Sequence, residues 1–583
     1  MNNAQLALLE SAQQELTLSD SAVVGRYAAL SPEKLRGGYY TPDHVAAWIS
    51  AWAIRSSKDS VLEPSCGDGA FLEAVLNRLE LIGDRPRNLV AQVVGIEISA
   101  EEASLSRARV NKLLGRRSSM ARVLAQDFFS WWLSSNRTSS DVVVGNPPFI
   151  RYQTFPEPSR ERAMRVMRDL GLTPNRLTNI WVPFVVASVA CLKPGGRLGM
   201  VVPAELLQVS YASQLRAFLT DRFERIDIVA CNDLFFENAE QEVVLLLAQG
   251  LIKSPSDKNL CRVAMAELSS AKELRATEPS KLLGKSQCKD IRHDSEKWLK
   301  YFLSSTEIGL MRRLREDPRV TELSSHGEVD VGVVTGKNEF FLLSHDQVKK
   351  LGAEKYVTPI VGRSAHIRGV RFTEKDWNAL AEKGDRVYLL NIPAVNGHEL
   401  PYGCLNYIRE GELAGFQKGY KCSIRDPWYA VPSVWVPDGF IFRQIYDFPR
   451  AVLNRASATS TDTIHRLRCR AKPELVAKTL YTSLTAASAE IEGRSYGGGV
   501  LELEPTEAER LLMPARLNGG MPLDECDRLL RSDRLTDLIE ENDKLVLRDG
   551  LGIDRNDCKM LNNIWTKMRD RRSSRRRSTK PRS

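Results

Sequence analysis

The run Asp141-Val-Val-Val-Gly-Asn-Pro-Pro-Phe149 constrains the fold more than any other part of this 583-residue chain. Val142 to Val144 form a short unbroken apolar run, the pattern of a strand buried on both faces of a parallel sheet. Pro147 and Pro148 have no N–H and a fixed φ, so neither can continue a sheet ladder. The chain must therefore leave the sheet at Asn146. In a doubly wound α/β fold, ligands gather just beyond the carboxyl ends of the strands, which places Asn146 at a binding site.

The chemistry of that turn is narrow. The Asn146 side-chain oxygen and the Pro147 carbonyl are two acceptors on a stiff frame, and Phe149 adds an aromatic face. Together they suit a planar group carrying an NH₂. An ordinary strand-ending turn begins the same way, but Asn-Pro-Pro-aromatic after an apolar strand is a specific combination. Upstream, Ser60-Val-Leu-Glu-Pro-Ser-Cys-Gly-Asp-Gly-Ala-Phe71 reads as strand, glycine turn and helix start. Gly67 and Gly69 allow close backbone approach to a ligand. Leu72 stands where a dinucleotide fingerprint has its third glycine, which weakens that reading. A second strand, Gln92 to Glu97, ends on an acid placed for ribose hydroxyls. A third, Val123 to Phe129, brings Asp127 as an acceptor and Phe128 as an apolar ring. Each acid alone is more often a solvated turn; in this order they outline an adenosine pocket. Thr41 and Pro42 precede a helix from Asp43 to Ala53, where the Thr41 hydroxyl either caps the helix or meets a ligand carboxylate.

Elsewhere, residues 1–30 read as a helical lead-in and 151–179 as a polar, mobile connection. An apolar helix follows from Ile180 to Cys191, closed by Lys193-Pro-Gly-Gly196. Further strands are expected at 198–202, 226–230 and 243–248. Phe235-Phe236 are either core anchors or a grip on a base. Residues 516–566 read as helical, and Arg569–Ser583, charged and Ser-rich, as disordered. The net charge of +9 is almost all in the tail: Lys567 to Ser583 hold nine Lys/Arg and one acid. Global charge therefore does not argue for nucleic acid, and the tail is as well read as a solvated end as a phosphate-binding arm. The longest apolar stretch, near Trp181 to Leu192, is shorter than the roughly 20 residues of a membrane span. The opening residues lack a secretory pattern. Ten cysteines without a Cys-x-x-Cys pair suit free thiols in a reducing cytosol and no metal.

The chain resembles the TaqI-like, gamma-type adenine-N6 DNA methyltransferases of bacterial restriction–modification systems over roughly residues 35–515. The likeness rests on Gly37-Gly-Tyr-Tyr-Thr-Pro42, the glycine turn and Asn146-Pro-Pro-Phe149. It extends to Val331-Gly-Val-Val-Thr-Gly-Lys-Asn-Glu-Phe340, Pro359–Arg363, Asp426-Pro-Trp-Tyr429 and Gly493–Gly499. The resemblance implies a Rossmann-like class I domain, mostly parallel and doubly wound, at 31–250. A connecting region at 251–319, an α+β target-recognition domain at 320–515 and a helical extension with a basic tail at 516–583 complete the expected α/β chain. It further implies that Thr41, Glu63, Ser65, Gly67, Glu97, Asp127, Phe128 and Asn146 hold S-adenosylmethionine. Asn146, Pro147 and Phe149 would be catalytic, with Phe235 stacking on a flipped adenine and Phe149 replacing the commoner Tyr. Lys337, Asn338, Arg363 and Arg494 are the expected contacts to double-stranded DNA. No fused nuclease is expected, which leaves a separate restriction endonuclease or a stand-alone regulatory role open, in a cytoplasmic, nucleoid-associated enzyme. The rival readings are methylation of an RNA adenine or of a protein glutamine amide, whose NH₂ is equally planar, and a catalytically silent DNA-binding relative.

Overall fold

The computed structural model describes residues 40–574 apart from 84–91, 115–121, 135–138, 176–177, 232–234, 236–241, 253–260, 294–295, 394–399 and 496–498. The expected lead-in at 1–30, Gly37–Tyr39, Phe236, Tyr496–Gly498 and the end of the tail lie outside these residues. Two compact units are present, one ending at Ser305, the other comprising Thr306–Ser495 and Val500–Ser573.

The first unit is built on an eight-stranded sheet in the order β3-β2-β1-β4-β5-β7-β6-β8. Its strands are β1 (Val61–Glu63), β2 (Val93–Glu97), β3 (Arg122–Ala125), β4 (Ser140–Gly145), β5 (Leu192–Pro203), β6 (Phe223–Cys231), β7 (Val243–Leu251) and β8 (Arg262–Leu268). β1 to β5 pair in parallel, β7 runs antiparallel between β5 and β6, and β8 adds parallel to β6. The strand order reverses between β1 and β4, so the crevice of this sheet opens where those two strands end. Val142, Val143 and Val144 are fully buried there, as the apolar run required.

The helices that position the site are α1 (Asp43–Ala53), α2 (Ala70–Ile82), α3 (Ala100–Leu114), α4 (Phe128–Leu133), α5 (Ser159–Asp169) and α6 (Trp181–Val189). Four expectations need correction. The 151–179 segment contains α5, because Ala163, Met164, Val166 and Met167 fall on one buried face of it. Lys193–Gly196 does not simply close a helix: β5 begins at Leu192, and its pairing jumps from Ser140↔Leu192 to Val142↔Arg197, leaving 193–196 as an excursion turned by Gly195 at φ 75°. The first unit does not stop at 250, since β8 completes its sheet and Ser305 ends it. At the entrance to α1, Pro42 itself occupies the cap position and no side chain caps the helix, so Thr41 is a buried residue one step earlier.

The second unit is α+β. A five-stranded sheet orders Gly327–Asp330, Ile464–Cys469, Gly439–Phe442, Ala451–Arg455 and Arg371–Thr373, with a four-stranded sheet beside it in the chain. Helix Ser483–Glu492 is buried along its whole length. Helices Leu523–Arg531 and Leu535–Asn542, a π-helical turn at Asp543–Arg548 and helix Arg555–Ser574 belong to the same unit rather than to an appendage. The expected disorder therefore fails for 569–574, which complete the last helix.

Candidate active site

β1 and β4 end side by side, with Val61 opposite Val142 and Leu62 opposite Val143. Two residues past the end of β1 and one past the end of β4, the Ser65 hydroxyl donates to the Asn146 carbonyl at 3.2 Å and ties the glycine loop to the Asn-Pro-Pro turn. Beyond the turn, the Ile180 amide donates to the Ile150 carbonyl at 2.9 Å, anchoring the exit from Phe149 to the start of α6. Phe149 is half-buried and packs against the core of this unit, whereas Phe235 is 4% exposed within that core. Of the two readings left open for Phe235, its burial in this core favours the anchor.

Glu63 is buried at the foot of the crevice, and its Oε2 has no hydrogen-bond partner among the described residues. Burial holds its carboxyl well above the usual carboxylate range, and the negative Asp68 and Glu97 add to this. The Leu72 amide and Arg109 pull the other way. Cys66, also buried, has its thiol pushed up by the same desolvation and by Glu63, so it is a wall residue and not a thiolate.

The glycine loop is shaped by its two glycines. At Gly69, φ is 90° and a Cβ would stand 3.1 Å from the Ser106 backbone, so no other residue lets α2 start this close to α3. At Gly67, φ is 48° and no heavy atom lies within 4 Å of where a Cβ would be, leaving open space in front of the loop. Glu97 closes the other side: its Oε2 accepts from the Gly67 amide and its Oε1 from the Ser99 amide, each at 2.9 Å. Each carboxylate oxygen keeps a further acceptor site for a ligand hydroxyl. A buried carboxyl lacking a cation, an open glycine cradle and a carboxylate at the end of the second strand fit an ammonium-bearing nucleoside such as S-adenosylmethionine.

Asp127 caps α4, its Oδ1 accepting from the Phe129 amide at 3.0 Å. Its Oδ2 accepts from Ser159 Oγ and Arg162 Nη1 on α5, both at 3.1 Å. Only Oδ1 has capacity left for a ligand. Phe128 is 2% exposed and stacks on Phe184 at 5.3 Å and Trp131 at 6.0 Å. Ser159 and Arg162 were not foreseen because α5 was not; its alternation of arginines with buried methionines was the available signal. Arg109 on α3 was missed as well. It ion-pairs Asp68 of the glycine loop at 2.8 Å, together with Glu73 on α2 and Asp43 on α1.

In the second unit, Lys337 and Asn338 share one turn. Lys337 Nζ stands 3.1 Å from Glu339 and 4.9 Å above the Phe416 ring, and the Thr335 hydroxyl donates to Asn338 Oδ1. Arg363 is exposed on a separate turn. Arg494 donates to Glu507 at 2.7 Å, so part of its guanidinium is committed within the fold. Among the described residues no cluster of His, Cys, Asp or Glu could hold a metal ion, and no helix is long and apolar enough to cross a membrane.

Comparison with known proteins divides the chain in the same way. The N-6 DNA Methylase family model matches residues 22–282, and the model for the C-terminal domain of Type II methyltransferase M.Eco57I matches 295–547. Type II methyltransferase M.AccI of Acinetobacter calcoaceticus is 23% identical over 538 residues, which is 89% of this chain and 91% of that protein. Type II methyltransferase M.BstVI of Geobacillus stearothermophilus is 27% identical over 352 residues, covering 54% of this chain and 61% of its own length. Among solved structures, the Type IIL restriction-modification enzyme MmeI in complex with DNA aligns with a TM-score of 0.52 at 12% identity, over 97% of this chain and 78% of that one, a likeness of fold.

Proposed function

Because this chain is an adenine-N6 DNA methyltransferase of the restriction–modification kind, joining an N-6 DNA methylase domain to a type II methyltransferase C-terminal domain, we propose that the Asn146-Pro147 turn prepares the target amine while Glu63, Glu97 and Asp127 hold S-adenosylmethionine. The cofactor, when bound, supplies an electrophilic methyl group on a sulfonium. The observation that carries the proposal is the junction of Ser65 with Asn146, beside the buried Glu63, at the point where the strand order reverses.

An adenine amine is a poor nucleophile because its lone pair is delocalised into the ring. Asn146 Oδ1 and the Pro147 carbonyl accept its two N–H bonds, which favours a pyramidal nitrogen with an available lone pair. No cysteine nucleophile is required, in keeping with the buried Cys66 thiol. The amine lies inside a duplex, so the base must leave the stack at a cost of about a few kcal/mol. Stacking on Phe149 offsets this by about 1–3 kcal/mol. Glu63 would hold the cofactor ammonium, whose charge favours the ionised carboxylate. Glu97 would hold the ribose hydroxyls, and the remaining acceptor site on Asp127 Oδ1 would hold the adenine. Cofactor strands first, Asn-Pro-Pro turn next and recognition unit last is the order that supports the TaqI-like, gamma subtype.

A protein amide or an RNA adenine presents the same planar NH₂ to the turn, but a second unit matching a DNA methyltransferase domain over 295–547 weighs against both. Incubation with methyl-labelled S-adenosylmethionine and, separately, duplex DNA, RNA and a release factor is expected to label DNA alone, at adenine N6. The Asn146→Ala variant should bind the cofactor calorimetrically and transfer nothing. Label in protein only, or wild-type transfer by Asn146→Ala, would overturn the reading.

A further inference from the structure

Asp127 is gripped from two sides. Its Oδ1 accepts from the Phe129 amide at 3.0 Å as the cap of α4. That bond alone would leave the carboxylate free to pivot, since the last torsion of an aspartate is broad and roughly two-fold. Its Oδ2 is held by α5, where the Ser159 hydroxyl and Arg162 Nη1 both donate to it at 3.1 Å. With both oxygens tied, the plane of the carboxylate is set, and the unused acceptor position on Oδ1 has a fixed direction. The Asp127 side chain is 12% exposed and Ser159 is buried against it. Arg162 is 37% exposed, and an ion pair so open to water adds little to folding, so stability is a weak reason for this arrangement.

The chain around α5 keeps it in place. Ala163, Met164, Val166 and Met167 bury its apolar face. Arg160 Nη1 donates to the Tyr152 carbonyl at 3.2 Å, and its guanidinium lies 4.9 Å from the Tyr152 ring. Tyr152 begins the short helical turn Tyr152–Thr154 that follows the Asn-Pro-Pro-Phe segment. Neighbouring residues in the first turn of one helix thus tie down both the exit from that segment and the acid beyond the third strand.

We infer that Ser159 and Arg162 are positioning residues for cofactor selection: they aim Asp127 so that its free acceptor meets an exocyclic amine of the nucleoside and turns away a 6-oxo purine. The inference rests on the reading in which Asp127 holds the adenine of S-adenosylmethionine, and deepens it by naming what makes that acid selective. An ionised carboxylate only accepts, so an amino group satisfies it, whereas a carbonyl in the same place sets two acceptors against each other. A site built around a hydrogen bond rejects the analogue that cannot make it, because a polar group is left unpaired. A carboxylate able to pivot escapes that penalty and loses the distinction.

The test is calorimetric titration of the full chain with S-adenosylhomocysteine and with its 6-oxo counterpart, S-inosylhomocysteine, read as the ratio of the two dissociation constants. The wild-type chain should prefer the amino form by about tenfold or more, the worth of a hydrogen bond to a charged group. Arg162→Ala with Ser159→Ala should narrow the ratio to about threefold or less, chiefly by weakening the amino form. Arg162→Lys should keep most of the preference, since a single guanidinium nitrogen makes the contact. Should the double variant fail to fold, Arg162→Ala alone reads the same ratio at a more exposed position. A purely structural role for α5 would weaken both ligands alike, and an unchanged ratio in these variants would overturn the inference. A wild-type chain that bound neither ligand, or both equally, would instead defeat the cofactor reading beneath it.

Discussion

Phe149 and Phe235 carry the same side chain into opposite situations. Phe149 is half-buried beside the Asn-Pro-Pro turn, while Phe235 is enclosed by the core. Removing the first should cost function and removing the second stability. Phe149→Ala is expected to reduce methyl transfer by roughly tenfold or more, by the loss of about 1–3 kcal/mol of stacking, with little change in melting temperature. Phe235→Ala should destabilise the chain by about 3–5 kcal/mol, as aromatic truncations in a core do. Equal melting temperatures for the two variants would show that Phe235 is not held as a core residue in solution. The sequence around Phe235 could not announce this, because burial depends on which strands enclose that residue.

At the scale of elements, the glycine loop is held from outside by α3. Arg109 pairs Asp68, Glu73 and Asp43, and these partners raise its pKa despite partial burial. The side chain is a quarter exposed, so the network is worth on the order of 1 kcal/mol. Arg109→Ala should then raise KM for S-adenosylmethionine about three- to tenfold while kcat and DNA affinity hold, and Arg109→Lys should recover part of the loss; an unchanged KM would make the triad purely structural. The π-helical turn at Asp543–Arg548 offers a pH test. Asp543 Oδ1 accepts from the Ser483 amide at 2.8 Å, yet burial pushes this carboxyl up to about 6 from 3.8. The native state therefore keeps a proton that the unfolded chain releases between those values, and stability falls as pH rises through that window, by on the order of 2–3 kcal/mol. Asp543→Asn keeps the acceptor and removes the charge, so thermal melts should show stabilisation at about pH 7.5 and none at about pH 4.

For the whole molecule, the last helix closes the second unit through an ion pair. Arg572 and Glu490 are 2% and 4% exposed, with Nη2 and Oε1 2.7 Å apart, although residue 572 lies beyond the matched domain that ends at 547. Arg572→Leu leaves Glu490 buried without its cation and should destabilise by about 3–5 kcal/mol in denaturant melts. Pairing it with Glu490→Leu should restore most of the loss, and no recovery would mean that helix packing, not charge, is at stake. The sequence by itself determined the places where the backbone has no alternative: a buried valine strand that two prolines must end, a turn that needs glycine at 67 and 69, and acids closing the second and third strands. These are local constraints of sterics and periodicity, and they survive in any fold that satisfies them. Only the tertiary structure decided which polar groups are already engaged, as Asp127 is with α5 and Arg494 with Glu507. Those facts depend on the approach of segments distant in the chain, and partner choice over such separations leaves no periodic trace along it.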